Sequence, residues 1–242
     1  MQPCLLLHKI LENSHVIKHK TRQASLVNAV DAILHGGKLS LTSIGRHMTK
    51  PIKARSKIQT TNYLLGNGQL YTELPGIYAA ITKAICSSRK ELFILIDWSS
   101  VVPHETHLLR ASLVVKGRSM VLYEELHSEK KLGNSCVQKA FLNRLHQMLP
   151  THACVCIVTD AGFKTDFFQQ VLRCGWHFVG RLLGNLVYTH QGKNEWKTCS
   201  SLFAQADEKA RFIGSVELSK ASRLKTNLYQ MKKLPKAKKS SK

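Results

Sequence analysis

The order of apolar segments between residues 91 and 181 constrains the fold more than any other feature of the sequence. The run "LFILID" is continuously apolar, as in a buried strand, and two β-rich segments, "HLLRASLVV" and "SMVLYEEL", follow it around a Gly-centred turn. Helical and strand patterns then alternate through "SCVQKAFLNRLHQML", "ACVCIVTD", "FKTDFFQQVLRC" and "GWHFVGRL". This order is typical of an α/β sheet with helices on both faces.

The N-terminal eighty or so residues have the periodicity of helices. The segment "ASLVNAVDAILHG" repeats apolar residues at helical spacing and ends at Gly36-Gly37. Downstream, we expect Thr42 to cap a short helix that Pro51 ends, and a second helix to run from Ile58 to Leu65. The sequence therefore predicts a small helical domain ahead of the sheet.

Basic residues cluster where these two short helices meet. No acidic residue occurs between Asp31 and Glu73. Two short helices around a basic turn resemble a helix-turn-helix DNA reader, and a solvated cationic face is the alternative. The cations of this turn are Arg46, Lys50, Lys53, Arg55 and Lys57.

The overall charge favours a polyanionic partner. The chain has 36 Lys and Arg against 15 Asp and Glu, a formal charge of +21. Nucleic acid is the better match than an anionic membrane surface. No apolar run approaches the roughly 20 residues that span a bilayer. The seven cysteines include no C-x-x-C pair, so neither a disulfide framework nor a zinc site is indicated.

The chain after residue 181 changes character again. Short β-like pieces such as "NLVYTH" and "RFIGSVEL" alternate with polar turns, and the lysine-rich end "MKKLPKAKKSSK" is expected to be unfolded in isolation. We therefore predict three regions: a helical domain at 1–80, an α/β core at 81–182, and a β-rich segment with a basic tail at 183–242.

Two aspartates follow apolar strands. Asp97 closes "LFILID" and Asp160 closes "CIVTD". Ligands gather at the carboxyl ends of strands in open α/β sheets, so both side chains can face one crevice. A carboxylate pair in a basic protein suits Mg²⁺, which binds through one or two carboxylates plus substrate phosphates. The alternative is that each aspartate caps the helix or turn that follows it.

The residues also carry a resemblance to a known family. The segments "DWSS", "LLRASLVVKGRS", "TDAGF" and "GWHFVGRLLGNLVY" resemble the catalytic core of bacterial insertion-sequence DDE transposases of the insertion-sequence-four (IS-four) family. The segments "LTSIGR", "KARSK" and "LLGN" resemble the family's N-terminal region, and the likeness runs in order from about residue 5 to the end.

The resemblance implies a ribonuclease H-like core, which has the strand and helix order described above. It implies cut-and-paste transposition, in which the N-terminal domain (1–80) binds inverted-repeat DNA ends and the protein dimerises on paired ends. Mg²⁺-activated water, with Mn²⁺ as a substitute, then cleaves the DNA, and the freed end is joined to target DNA. It also implies that residues 183–242 are part of a β-rich insertion. Asp97 and Asp160 match the first two acids of the catalytic triad, and Arg110 and Arg118 lie in matched segments where they could contact phosphates. We expect a bacterial cytoplasmic protein, associated with the nucleoid through DNA.

The chain departs from the family at the third acid. That glutamate belongs to a Tyr-x-x-Arg-x-x-x-Glu-x-x-x-x-x-x-Lys pattern, which this sequence lacks; after Tyr229, Lys236 stands where the glutamate should be. We therefore expect a truncated, catalytically impaired form of the enzyme. Two other functions remain open: a DNA-binding module that occupies transposon ends and antagonises an intact transposase, and a general ribonuclease H-like nuclease.

Overall fold

The computed structural model describes residues 3–36, 38–101 and 105–232 of the chain. The contacts divide the protein into two compact units. The first contains residues up to 92 together with 111–124 and 144–153, and the second contains 93–110, 125–143 and the residues from 154 onwards. The three regions predicted from the sequence, with boundaries at 80 and 182, stay a prediction.

Five helices form the N-terminal part of the first unit: α1 (Pro3–Ser14), α2 (Lys20–Gly36), α3 (Leu41–His47), α4 (Ala54–Leu65) and α5 (Gly68–Cys86). The predicted helical region is thus confirmed. Its apolar core draws on every one of these helices, because each is amphipathic and buries one side against the others. The core residues are Leu11, Ile17, Ala29, Ala32, Ile44, Met48, Leu64, Leu70 and Ile77.

The helix starts differ in detail from the sequence prediction. Ser40, and not Thr42, caps α3, because its hydroxyl oxygen accepts a hydrogen bond from the Ser43 amide at 3.2 Å. Helix α4 begins at Ala54, four residues before the predicted Ile58. Asn67 caps α5 by accepting from the amides of two residues in its first turn, at 3.0 and 3.2 Å.

A mixed five-stranded sheet flanked by helices follows, which confirms the α/β prediction. Its strands are β1 (Glu91–Val101), β2 (Thr106–Val115), β3 (Arg118–Ser128), β4 (Cys154–Thr159) and β5 (His177–Gly180), in the spatial order β3-β2-β1-β4-β5. Helix α6 (Ser135–Met148) precedes β4, and α7 (Thr165–Arg173) joins β4 to β5, which pair in parallel. The turn between β2 and β3 places Gly117 at φ +78°, a conformation that favours glycine.

A second, four-stranded sheet lies in the C-terminal part of the second unit. Strands β6 (Val187–His190), β7 (Lys197–Thr198), β8 (Arg211–Leu218) and β9 (Leu224–Gln230) take the order β7-β6-β8-β9, with antiparallel neighbours. The predicted β-like pieces therefore form strands. The lysine-rich end from residue 233 lies outside the described residues. Among the residues that the structure describes, no helix is both long and apolar enough to cross a bilayer.

One glycine sets the distance between α3 and α4. A Cβ atom placed on Gly45 would lie 2.6 Å from the Ile58 Cα, so only a residue without a side chain allows the two helix backbones to approach this closely. Gly45 is itself buried. Helix interiors normally disfavour glycine by up to about 1 kcal/mol relative to alanine, and here the close packing outweighs that cost.

We expect Gly45→Ala to destabilise the protein by about 1–3 kcal/mol, because the added methyl group must push the two helix backbones apart. Gly68→Ala is the matched control, since Gly68 opens α5 and a Cβ atom added there would have nothing within 4 Å. Thermal unfolding followed by circular dichroism should show a lower midpoint for the first variant only. Equal midpoints for both variants would contradict the packing described above.

Candidate nucleic-acid interface and paired carboxylates

Helices α3 and α4 and the turn between them form a rigid pair, named here the α3–α4 pair (residues 41–65). Ile44 and Met48 of its first half and Leu64 of its second half are buried in the shared core. The Lys57 ammonium donates to the Met48 carbonyl oxygen at 2.7 Å. This bond satisfies a carbonyl that the end of α3 leaves open, so it fixes the turn from the side of α4.

The four cations predicted to bind DNA in this region have two different environments. Arg46, Lys53 and Arg55 are exposed, at the end of α3 and the start of α4. Lys57 is half-buried and its ammonium is held by the Met48 carbonyl. The structure therefore leaves the first three available to an anion and gives Lys57 a structural contact within the pair.

Positive charge is concentrated at the N-terminal end of α4. Its first turn contains no acidic residue, and Lys53 and Arg55 lie at this end. The N-terminus of a helix carries a partial positive charge, so cations placed there destabilise an isolated helix. A phosphate group bound at this end would replace the repulsion with attraction, because the helix N-terminus and the two cations all attract a negative charge.

The exposed face of α4 holds functional candidates that the sequence prediction missed. Thr61 and Leu64 are buried, whereas Arg55, Gln59 and Asn62 are exposed. Spacings of four and three residues place the exposed three on one side of a helix. This i, i+4, i+7 pattern was present in the sequence, but it is recognisable only once the buried side of α4 is known.

A salt bridge joins α2 to α5 in the same unit as this pair. The Arg22 guanidinium donates to both carboxylate oxygens of Glu73, at 2.8 and 2.5 Å, and the Lys18 amide adds a third hydrogen bond at 3.2 Å. Both side chains are largely shielded from water. The Arg22 hydrogen bonds hold the pKa of Glu73 below its ordinary value, against the opposing effect of desolvation.

A cleft of about 380 Å³ opens beside this salt bridge. His19 and Arg22 of the α2 end line it, together with Tyr63 of α4 and Asn67. The residues lining the cleft include no carboxylate, and neither of the two predicted catalytic aspartates lines it.

The Arg22–Glu73 pair should make stability depend on pH. Because the pKa of Glu73 is lowered by folding, its contribution is fully present above the unfolded-state pKa of about 4.3 and is lost as the pH falls through the folded value. We expect Glu73→Gln to lower the thermal midpoint at pH 7 and to differ progressively less from the parent protein below about pH 4. A constant difference from pH 3 to 7 would argue against the pair, and the exposed Glu208→Gln is the control.

Asp97 lies within β1, and the strand continues beyond it to Val101. The expectation that Asp97 closes its strand is therefore wrong. The burial pattern alternates along the strand, with Leu92, Ile94 and Ile96 buried and Asp97 on the exposed side. One carboxylate oxygen of Asp97 accepts a hydrogen bond from the Trp98 amide at 2.8 Å.

Asp160 immediately follows β4, as predicted. It is exposed, and its Oδ1 accepts a hydrogen bond from the Gly162 amide at 2.9 Å. This is a local turn and not a helix cap, because α7 begins only at Thr165 and its capping residue is Lys164. Apart from this bond the carboxylate makes no hydrogen bond or ion pair with the described residues.

The sheet order makes β1 and β4 hydrogen-bonded neighbours. Asp97 lies within β1 and Asp160 directly follows the neighbouring strand β4, and both residues fall within the second unit. Each accepts a hydrogen bond from a backbone amide through one carboxylate oxygen. In the described part of the chain, no group of three or more His, Cys, Asp or Glu side chains is arranged to hold a metal ion.

Trp98 anchors β1 next to Asp97. Successive residues of a strand point to opposite faces, so the indole lies on the other side of the sheet from the carboxylate. Its ring meets the His127 imidazole edge to face, with centroids 5.7 Å apart, and His127 Nε2 lies 2.9 Å from the Glu125 carboxylate. The indole Nε1 is buried without a hydrogen-bond partner among the described residues.

The two remaining DNA-binding candidates lie on the β2–β3 hairpin. Arg110 is half-buried within β2 and interacts with neighbouring groups, whereas Arg118 is exposed at the start of β3. Arg118 is thus available to an anion, and Arg110 already has partners within the protein.

Comparison with known proteins adds no family assignment. No protein-family model, no curated protein and no solved structure matches this chain. The likeness to transposases therefore rests on the motifs of the sequence.

Asp160 can be tested separately for its charge and for its hydrogen bond. Asp160→Asn keeps an oxygen acceptor for the Gly162 amide, so we expect the unfolding midpoint to be unchanged. Asp160→Ala removes the acceptor and should cost about 0.5–1.5 kcal/mol. Equal stability of the two variants in chemical denaturation would show that the turn does not depend on this bond.

Proposed function

We propose that this protein is a transposase-type DNA-binding protein of the IS-four kind, with a ribonuclease H-like core and an N-terminal helical reader of DNA ends. One observation carries the proposal: in a chain of formal charge +21, one exposed aspartate lies within a strand of a mixed sheet and a second directly follows the neighbouring strand. A surplus of that size needs a polyanionic partner, and paired carboxylates suit metal-dependent chemistry on its phosphodiesters.

The sheet supports the finer fold proposal. Strands β1, β2 and β3 lie side by side in chain order. Strand β4 then pairs with the other side of β1, and β5 pairs in parallel with β4, which gives the order β3-β2-β1-β4-β5. This is the strand order of the ribonuclease H-like arrangement proposed from the sequence. In that arrangement Asp97 and Asp160 are the first two acids of the triad.

Mg²⁺, or Mn²⁺ in its place, fits the two carboxylates in its donor chemistry. Both aspartates supply hard oxygen ligands, are exposed to water, and use only one oxygen each in a backbone hydrogen bond. Mg²⁺ suits such ligands, because it retains several waters and binds substrate phosphates. When bound in pairs, such ions activate a water and stabilise the departing oxygen of a phosphodiester. The protein's own residues orient the carboxylates through the Trp98 and Gly162 amides and hold the DNA through the exposed cations.

A non-cleaving role is the second candidate, and a specific observation favours it. The described residues offer no three-ligand metal cluster. A protein that binds DNA through its exposed cations, with only two carboxylates for a metal ion, would occupy DNA ends without cutting them efficiently. In that role it would compete with an intact transposase for the same ends.

Binding tests the first part of the proposal. The full chain should select a preferred duplex from a random library and bind it with a steep salt dependence, about 0.9 in log–log slope for each phosphate neutralised. Lys53→Ala should reduce that slope by about one, whereas the exposed Lys193→Ala in the turn after β6 should leave it unchanged. Absence of salt-dependent duplex binding would refute the proposal.

Cleavage separates the functional classes. On the selected duplex with Mg²⁺ or Mn²⁺, we expect weak nicking that Asp97→Asn and Asp160→Asn abolish without weakening DNA binding. Sequence-selective binding with no nicking at all identifies the non-cleaving module. Nicking without sequence preference identifies a general nuclease, and nicking that survives both substitutions would exclude the two aspartates from the chemistry.

A further inference from the structure

The outward face of α4 has a composition suited to reading base edges. Arg55, Gln59 and Asn62 follow one another along this exposed side. Arg forms paired hydrogen bonds with the O6 and N7 of guanine, and Gln or Asn forms them with the N6 and N7 of adenine. If this face served only phosphate contacts or solubility, it would not need two amide side chains on the same side of the helix as Arg55.

The length of this face matches a short run of base pairs. Seven residues separate Arg55 from Asn62, and at about 1.5 Å per residue they span roughly 10 Å of helix. Successive base pairs are about 3.4 Å apart, so the same distance covers about three base-pair steps. A helix of this kind fits the major groove, which is about 12 Å wide.

One of the two amides is already oriented. Gln59 Nε2 donates to the Tyr63 hydroxyl oxygen at 2.9 Å, and both side chains are exposed. The remaining Gln59 donor and its carbonyl oxygen are left for a base edge. The Tyr63 hydroxyl keeps its own hydrogen, which can be donated to a phosphate.

Two contacts on its buried side hold α4 in place against α3. Gly45 allows α3 to lie directly against Ile58, and the Lys57 ammonium ties α4 to the Met48 carbonyl. These contacts fix the helix from its buried side. Side chains on the opposite face are therefore presented at a fixed angle to anything that docks there.

We propose that α4 is a sequence-reading helix that enters the major groove of duplex DNA. Arg55 contacts a guanine, and Gln59 and Asn62 contact adenines, within three to four successive base pairs. Tyr63 acts as a positioning residue for Gln59. This proposal rests on the DNA binding proposed above and adds the residues and the kind of base that set its specificity.

Selection from a random duplex library gives the test. The full chain should enrich sites with guanine and adenines in adjacent positions. Gln59→Ala and Asn62→Ala should each lower the preference for adenine at one position by about 5- to 100-fold, with preferences elsewhere retained. Tyr63→Phe should weaken the preference assigned to Gln59 and leave the one assigned to Asn62 intact.

Gln69→Ala is the matched control, because Gln69 is an exposed amide on α5 in the same unit. Its base preferences should equal those of the parent protein. Circular dichroism of every variant confirms that the exposed substitutions leave the helices folded.

The failures of the two proposals are distinguishable. If Gln59→Ala and Asn62→Ala keep the base preferences of the parent protein, α4 does not read sequence, and the proposed DNA binding still stands on the preferred duplex and its salt dependence. If the parent protein binds duplexes without any preference, the proposed reading of DNA ends fails together with the reading helix. If the parent protein binds no duplex at low salt, both proposals fall.

Discussion

The contact between Gly45 and Ile58 is the constraint on which the proposed DNA interface depends. It brings two short helices together at backbone distance, and neither helix, at 7 and 12 residues, is long enough to be stable alone. Their shared core supplies the stability that their length does not. The exposed cations and amides of α4 keep a fixed arrangement only because this contact and the Lys57–Met48 bond hold the helix from behind.

The net positive charge of the protein opposes folding. The positive charges behind the surplus of +21, six of which lie in the acid-free stretch from residue 32 to 72, repel each other within the folded protein. The Arg22–Glu73 pair is a local exception, where one carboxylate accepts bonds from a guanidinium and a backbone amide. A polyanion that neutralises the remaining surface would stabilise the folded state by binding it in preference to the unfolded chain.

Helices and strands with long, unambiguous hydrophobic patterns could be predicted from the sequence. Features that depend on contacts between distant residues could not. Strands β1 to β5 were recognised because apolar runs and alternation are strong local patterns. Strand β9 was missed: Leu224 and Leu228 are buried between polar neighbours, a pattern that needs the pairing with β8 to be read as a strand. The contact of Lys57 with Met48 could not be read from composition, because a lysine in a basic turn looks the same whether its ammonium meets a phosphate or a carbonyl.

The turn at Asp160 sets the orientation of its own side chain. Because Oδ1 accepts a hydrogen bond from the Gly162 amide, the backbone of the loop after β4 holds the carboxylate in one direction. An oxygen that accepts one hydrogen bond keeps a second lone pair, so both carboxylate oxygens can still accept further bonds. Any group that approaches this loop therefore meets a negative charge whose direction the backbone has already set.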